Sequence, residues 1–242
     1  MKFYTSVEQA GDTILVRGYY EGRPYQDRVK FNPTLFLPSP EKSEWRTLDG
    51  KYVRPVKQGT IRDAKRFVQD HRDIPDFDIC GQTRYVNQYI YEQYPNESMS
   101  YDMGDIRVFT LDIETGAENG FPDIESADQE ILLISIKDSD TNIISVFGTK
   151  PYDHDTKDGV HGDVKYMHFS SETAMLNAFI HWWSSNYPDV ITGWNVQLFD
   201  MPYIIRRINR VIGEKESRLI SPWKNVYCRE IYIKGRQYQT YD

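Results

Sequence analysis

Acidic side chains two residues apart on a strand point the same way, and such a pair on a rigid edge can hold a divalent cation. The chain contains three Asp-x-Glu triplets: Asp112-Ile113-Glu114, Asp123-Ile124-Glu125 and Asp128-Gln129-Glu130. With 22 Asp and 14 Glu in 242 residues, roughly one is expected from composition alone. Their surroundings separate them. Asp123 follows Asn-Gly-Phe-Pro in a loop, and Asp128 opens a strand from a polar stretch. Asp112 instead closes the apolar run Arg107-Val108-Phe109-Thr110-Leu111. There Leu111 and Ile113 anchor one face while Asp112 and Glu114 share the other. Like charges so placed repel unless a cation sits between them; two solvated strand-end acids are the plain alternative. A third acid, Asp200, stands where Thr192-Gly193-Trp194 runs through Asn195 and Phe199 into a helix. It is placed either to cap free N–H groups of that helix or to project into a cleft.

These residues need elements to position them. In the first hundred residues Phe3 to Val7, Thr13 to Tyr20 and Tyr25 to Phe31 read as strands, with Glu21-Gly22-Arg23-Pro24 as a hairpin turn. Asn32-Pro33 and Pro38-Ser39-Pro40 break the chain, and Ile61 to Arg72 is helical, with Ala64, Phe67 and Val68 on one apolar face. The polar, turn-rich run from Tyr94 to Ser100 marks a domain boundary, giving residues 1–104 and 105–242. Beyond it, Ile106 to Ile113, Glu130 to Asp138 and Asn142 to Phe147 read as strands, followed by an Asp-rich loop, Asp153 to Asp163, holding His154 and His161. Ser171 to Tyr187 is an amphipathic helix through Met175, Ala178, Phe179, Trp182 and Trp183. Asp189 to Trp194 reads as a short buried strand, Pro202 to Ile212 as a second helix, and Tyr232 to Tyr241 as a hairpin around Lys234-Gly235. The expected fold is α/β: a small α+β N-terminal domain followed by a domain with a mixed sheet.

Composition narrows the functions. A mean hydropathy of −0.64 and apolar runs no longer than Ile131-Leu132-Leu133-Ile134 fall far short of the roughly 18 residues that span a bilayer, so no membrane role is expected. The start lacks an apolar signal core, and Cys80 and Cys228 stand far apart without a Cys-x-x-Cys, so a reducing, intracellular setting is expected. The net charge of −7 is uneven: residues 1–104 balance, residues 105–205 carry 5 basic and 17 acidic side chains, and residues 206–242 carry 9 basic and 4 acidic. The middle could hold divalent cations and the basic tail could meet phosphates; an acidic solvated surface beside a basic one is the plain alternative.

The strand ending in Asp112-Ile113-Glu114, followed by Gly193-Trp194-Asn195-Val196-Gln197-Leu198-Phe199-Asp200-Met201-Pro202-Tyr203-Ile204, resembles the first two exonuclease motifs of family B DNA polymerases. The resemblance is to the replicative polymerases of T-even-type tailed phages, and it covers nearly the whole chain, thinly over residues 20–100. It implies that residues from about 105 onward form a ribonuclease-H-like 3′→5′ proofreading exonuclease domain. Asp112, Glu114 and Asp200 then match the carboxylates that ligate two Mg²⁺ or Mn²⁺ ions about 4 Å apart. Asn195 and Phe199 match positions that shape the site, with Phe199 weighed also as packing, and Phe121 is either a loop aromatic with no role or one that stacks on an unpaired terminal base. The hairpin would lie where these polymerases part a primer end from its template, with Arg229, Lys234 and Arg236 as phosphate contacts.

The family's third motif, Tyr-x-x-x-Asp, is matched literally by Tyr238 to Asp242, but much sooner after Asp200 than in the family and inside the expected hairpin. Asp242 is therefore not assigned as the missing ligand. The implied partners are a single-stranded 3′ primer end of DNA and either the remaining polymerase domains or a second polymerase subunit. The implied location is the cytoplasm of an infected bacterial host. On this reading the chain is a piece of a polymerase whose ligand set is incomplete. Two other functions fit less of the sequence: a non-catalytic single-stranded nucleic-acid or messenger-RNA binding module in residues 1–104, and a free-standing exonuclease.

Overall fold

A computed structural model describes residues 2–81, 84–94, 101–118, 120–152 and 163–241. The expected boundary run 95–100, His154, His161 and Asp242 lie outside the described residues. The chain divides into two compact units, Met1–Asp105 and Ile106–Asp242.

In the first unit, β1 (Lys2–Ala10), β2 (Thr13–Tyr20) and β3 (Arg23–Lys30) form an antiparallel meander. The β2–β3 turn is only Glu21-Gly22, so Arg23 and Pro24, expected in the turn, open β3 instead. A second sheet, ordered β4-β6-β5, combines β4 (Thr34–Pro38), β5 (Trp45–Arg46) and β6 (Tyr52–Lys57). The prolines hid these strands from sequence reading: Pro33 and Pro38 bracket β4, and Pro55 lies within β6. Helix α1 (Ile61–Asp70) starts at a capping box in which Thr60 and Asp63 satisfy each other's backbone N–H groups. With α2 (Tyr85–Gln93) it packs against the strands, burying Ile14, Val16, Leu35, Ile61, Ala64 and Tyr89 in one core.

The second unit is built on a five-stranded mixed sheet ordered β10-β9-β8-β7-β11. Its strands are β7 (Val108–Thr115), β8 (Ile131–Asp138), β9 (Ile144–Gly148), β10 (Val164–His168) and β11 (Val190–Thr192). β7, β8 and β9 run antiparallel, β10 lies parallel to β9, and β11 lies parallel to β7. This is the expected ribonuclease-H-like arrangement. Helix α3 (Glu172–Ser184), capped by the Ser171 hydroxyl on the Ala174 N–H, buries Met175, Phe179 and Trp183. Helix α4 (Asp200–Val211) buries Tyr203, Ile204 and Ile208. Both meet the sheet face formed by Phe109, Leu111, Ile113, Ile134 and Ile136. After α4 come the short α5 (Glu214–Ser217), a 3₁₀ turn at Arg218–Ile220, and the hairpin of β12 (Cys228–Ile233) and β13 (Arg236–Tyr241).

One expectation fails here. β11 is not buried: Val190 is 46% exposed and Ile191 36%, because the strand is the sheet's edge and its apolar side chains are not covered. Among the described residues no helix is long and apolar enough to cross a membrane.

Candidate active site

Along β7 the side chains alternate as the sequence predicts. Phe109, Leu111 and Ile113 are buried, and Thr110, Asp112 and Glu114 are exposed on the opposite face. β11 pairs with β7 only from Val108 to Thr110. Beyond that point the Ile113 N–H donates to the Asp200 carboxylate at 3.2 Å, so a polar group at the strand edge is satisfied from a helix.

Asp200 is thereby resolved from its two sequence-level options. Phe199, not Asp200, occupies the cap position of α4, and Asp200 opens the first turn with its side chain turned to β7. It is 3% exposed. Burial pushes its pKa above the ordinary carboxylate value, the amides of Ile113 and Asp200 itself oppose this, and the charges of Asp112 and Glu114 push it further up. Three carboxylates from two elements are therefore within electrostatic reach of one another. All their donors are oxygen, which suits a hard cation. Among the described residues, however, no three His, Cys, Asp or Glu side chains converge closely enough to hold a metal ion.

The turn that delivers Asp200 depends on Gly193. A Cβ there would sit 2.3 Å from the Leu111 carbonyl oxygen, so only glycine lets the chain leave β11 this close to β7. Asn195 adopts a left-handed backbone, with φ of 58°, and its carbonyl accepts the Leu198 and Phe199 N–H groups at 3.0 and 2.9 Å. Its side chain is exposed. The half-buried Phe199 ring stacks on Tyr203 at 5.7 Å and meets Phe121 at 5.5 Å. Phe121 is 84% exposed, so the turn and the loop after β7 share an aromatic contact open to solvent. Trp194, expected at the end of a buried strand, lies beyond β11 and is 92% exposed, unusual for so large an apolar ring.

The other two triplets make contacts of their own. Asp123 accepts the Ser126 N–H at 2.8 Å, a bond that holds its carboxyl below the usual range. Asp128 contributes its carbonyl to Arg207 at 2.8 Å.

The hairpin turns on Lys234-Gly235, with φ of 48° and 79°, the left-handed pair that a two-residue turn requires. Arg229, Lys234 and Arg236 are exposed. At its base Thr240 Oγ1 donates to the Gln197 carbonyl at 3.2 Å, which ties the hairpin to the Asp200 turn. Sequence reasoning missed the arginines of α4. Arg207 forms a buried bidentate pair with Glu172 and donates to the carbonyls of Ala127 and Asp128. Arg206 and Arg210 reach the carbonyls of Glu125 and Ser126. The adjacent Arg206 and Arg207 were visible as basic residues on a helix, but backbone carbonyls as partners leave no mark in a sequence.

Residues 65–232 match the family model described as DNA polymerase family B, exonuclease domain. The chain belongs to DNA polymerase family B. Curated relatives within it include the DNA-directed DNA polymerase of Escherichia phage RB69, 30% identical over 95% of this chain and 28% of that protein. The DNA-directed DNA polymerase of Enterobacteria phage T4 is 31% identical over 91% of the chain and 27% of its own length. The DNA polymerase catalytic subunit of human herpesvirus 8 is 34% identical over 45% of the chain and 11% of that protein. The chain thus spans under a third of the phage relatives' length. The family B exonuclease match contains Asp112, Glu114, Phe121, Asn195, Phe199, Asp200 and Arg229, and ends before Lys234 and Arg236.

Proposed function

We propose that residues 106–242 form the proofreading portion of a phage DNA polymerase, which removes nucleotides from the 3′ end of a DNA strand. One observation carries this reading: the Asp200 carboxylate is drawn from α4 to the amide of Ile113, the residue that the exposed Asp112 and Glu114 flank along β7. Asp112, Glu114 and Asp200 would hold Mg²⁺ or Mn²⁺ through oxygen donors, in keeping with a carboxyl that burial first, and then the charges of Asp112 and Glu114, push towards its neutral form. When bound, such ions activate water and stabilise a leaving 3′-oxygen.

The chain's own residues supply placement. Phe121, leaning on Phe199, offers a face to the terminal base, and Asn195 shapes the turn beneath it. Arg229, Lys234 and Arg236 on the hairpin meet backbone phosphates that the acidic region would repel. Residues 1–104 act as the N-terminal domain of the same polymerase, working in the cytoplasm of an infected bacterium. No observation favours messenger-RNA binding or a second polymerase subunit.

The resemblance implies one more ligand, from a third motif to which no residue of this chain is assigned, so the isolated chain should bind Mn²⁺ weakly and digest slowly. The test combines Mn²⁺ titration with magnesium-dependent digestion of a 3′-labelled single strand, for the wild type and Asp112→Ala. Weak Mn²⁺ binding that the substitution removes supports the reading. Brisk digestion abolished by Asp112→Ala would show a complete ligand set in this chain, and digestion or metal binding indifferent to the substitution would overturn the site.

A further inference from the structure

We infer that Arg206 is a positioning residue that locks the basic hairpin and the Phe121-bearing loop to the helix carrying Asp200. The inference rests on the proposed nuclease reading for its purpose, though not for its geometry. One guanidinium joins three elements. From α4, Nη1 donates to the Glu125 carbonyl at 3.0 Å, in the loop that follows Phe121. Nε donates to the Tyr241 hydroxyl at 3.0 Å, and Nη2 donates to Gln239 Oε1, both on β13. The guanidinium also lies 6.0 Å from the Tyr241 ring centroid, within cation–π range. Its charge is thus committed to carbonyl, amide and hydroxyl oxygens.

Charge distribution gives this junction its use. Residues 105–205 are strongly acidic, and the hairpin carries three exposed cations able to meet DNA phosphates, Arg229, Lys234 and Arg236. Where the hairpin sits relative to Asp112, Glu114 and Asp200 therefore decides which phosphate is presented to the acids. An unanchored hairpin would still attract DNA but would present no defined bond, and misplacement by even 1 Å is costly to a reaction of this kind. Thr240 pins the hairpin to the Gln197 carbonyl, and Tyr241 packs against the core of the unit. Arg206 supplies further anchors on the same strand and ties them to the loop after β7. Lysine cannot replace it, since one ammonium does not reproduce a planar fork aimed at three partners.

The test uses the whole chain, a 3′-labelled single-stranded oligonucleotide in EDTA, and five variants: Arg206→Ala, Arg206→Lys, Lys234→Ala/Arg236→Ala, and each Arg206 change added to that pair. The hairpin pair should lower the salt slope of binding by about 1.4, two phosphate contacts' worth for a single strand. Arg206→Ala and Arg206→Lys should each weaken binding about two- to tenfold, and the combined variants should bind no worse than the hairpin pair alone. Hydrogen exchange, without DNA, should quicken together in Gln239–Tyr241 and in residues 125–127 for both Arg206 variants, and not in β8 or β9. Additive losses, or rescue by lysine, would mean that Arg206 meets phosphate itself and would overturn the inference. Faster exchange on only one side of the junction would also overturn it. A hairpin pair that leaves DNA binding unchanged would refute the nucleic-acid reading of the hairpin, and the coupling would then be judged on exchange alone.

Discussion

The Asp200 carboxyl is buried against β7, and burial first, then the charges of Asp112 and Glu114, raise its pKa. A raised pKa in the folded state means that folding favours the protonated form, so this group costs stability as pH climbs from the ordinary aspartate range through the folded value. Asp200→Asn keeps an oxygen for the Ile113 N–H and removes the charge. Without divalent ions it is expected to raise Tm at pH 7, with the gain fading to nothing as pH falls below the ordinary aspartate range. Thermal scans of both proteins across that interval check the sign, and a variant less stable at neutral pH would contradict it. Magnesium should narrow the gap by stabilising only the wild type, since a ligand bound by the native state alone adds to stability.

At the scale of elements, two contacts seat α4 on its neighbours. The first is the close approach at Gly193, where a Cβ would meet the Leu111 carbonyl at 2.3 Å. Gly193→Ala must push β11 from β7 or twist the turn ahead of Asn195, at a cost of about 1–3 kcal/mol. Urea unfolding measures it, and a neutral substitution would show that the edge strand yields freely. The second is the seat of α4 on Glu172, Ala127 and Asp128 through Arg207. Glu172 also accepts the Ile131 N–H at 2.7 Å, so one buried pair joins α3, α4 and the start of β8.

Each unit of the whole molecule has its own core: one around Ile14, Leu35 and Tyr89, the other around Leu111, Phe179 and Tyr203. Arg207→Ala leaves the Glu172 charge buried without its cation and should cost about 3–5 kcal/mol. That loss should appear as reduced amide protection in residues 106–242 and leave the slowest amides of the first unit unchanged. Loss of protection in both units alike would show that they unfold as one body.

What could be read from the sequence was whatever neighbours along the chain decide. Alternation put Asp112 and Glu114 on one face of β7, the left-handed pair Lys234-Gly235 marked the hairpin, and the apolar stripe of α3 announced its buried side. The strand ending in Asp112-Ile113-Glu114, followed by the run from Gly193 to Ile204, was enough to suggest the family by resemblance. The tertiary structure alone decided the partners. Asp200 faces the Ile113 amide rather than capping its helix, Phe121 meets Phe199, β11 is an exposed edge, and Arg206 spans helix, loop and hairpin. The physical reason is one of range. Periodicity and turn chemistry act over a few residues, whereas a buried hydrogen bond or ring contact is chosen from segments that only folding brings together.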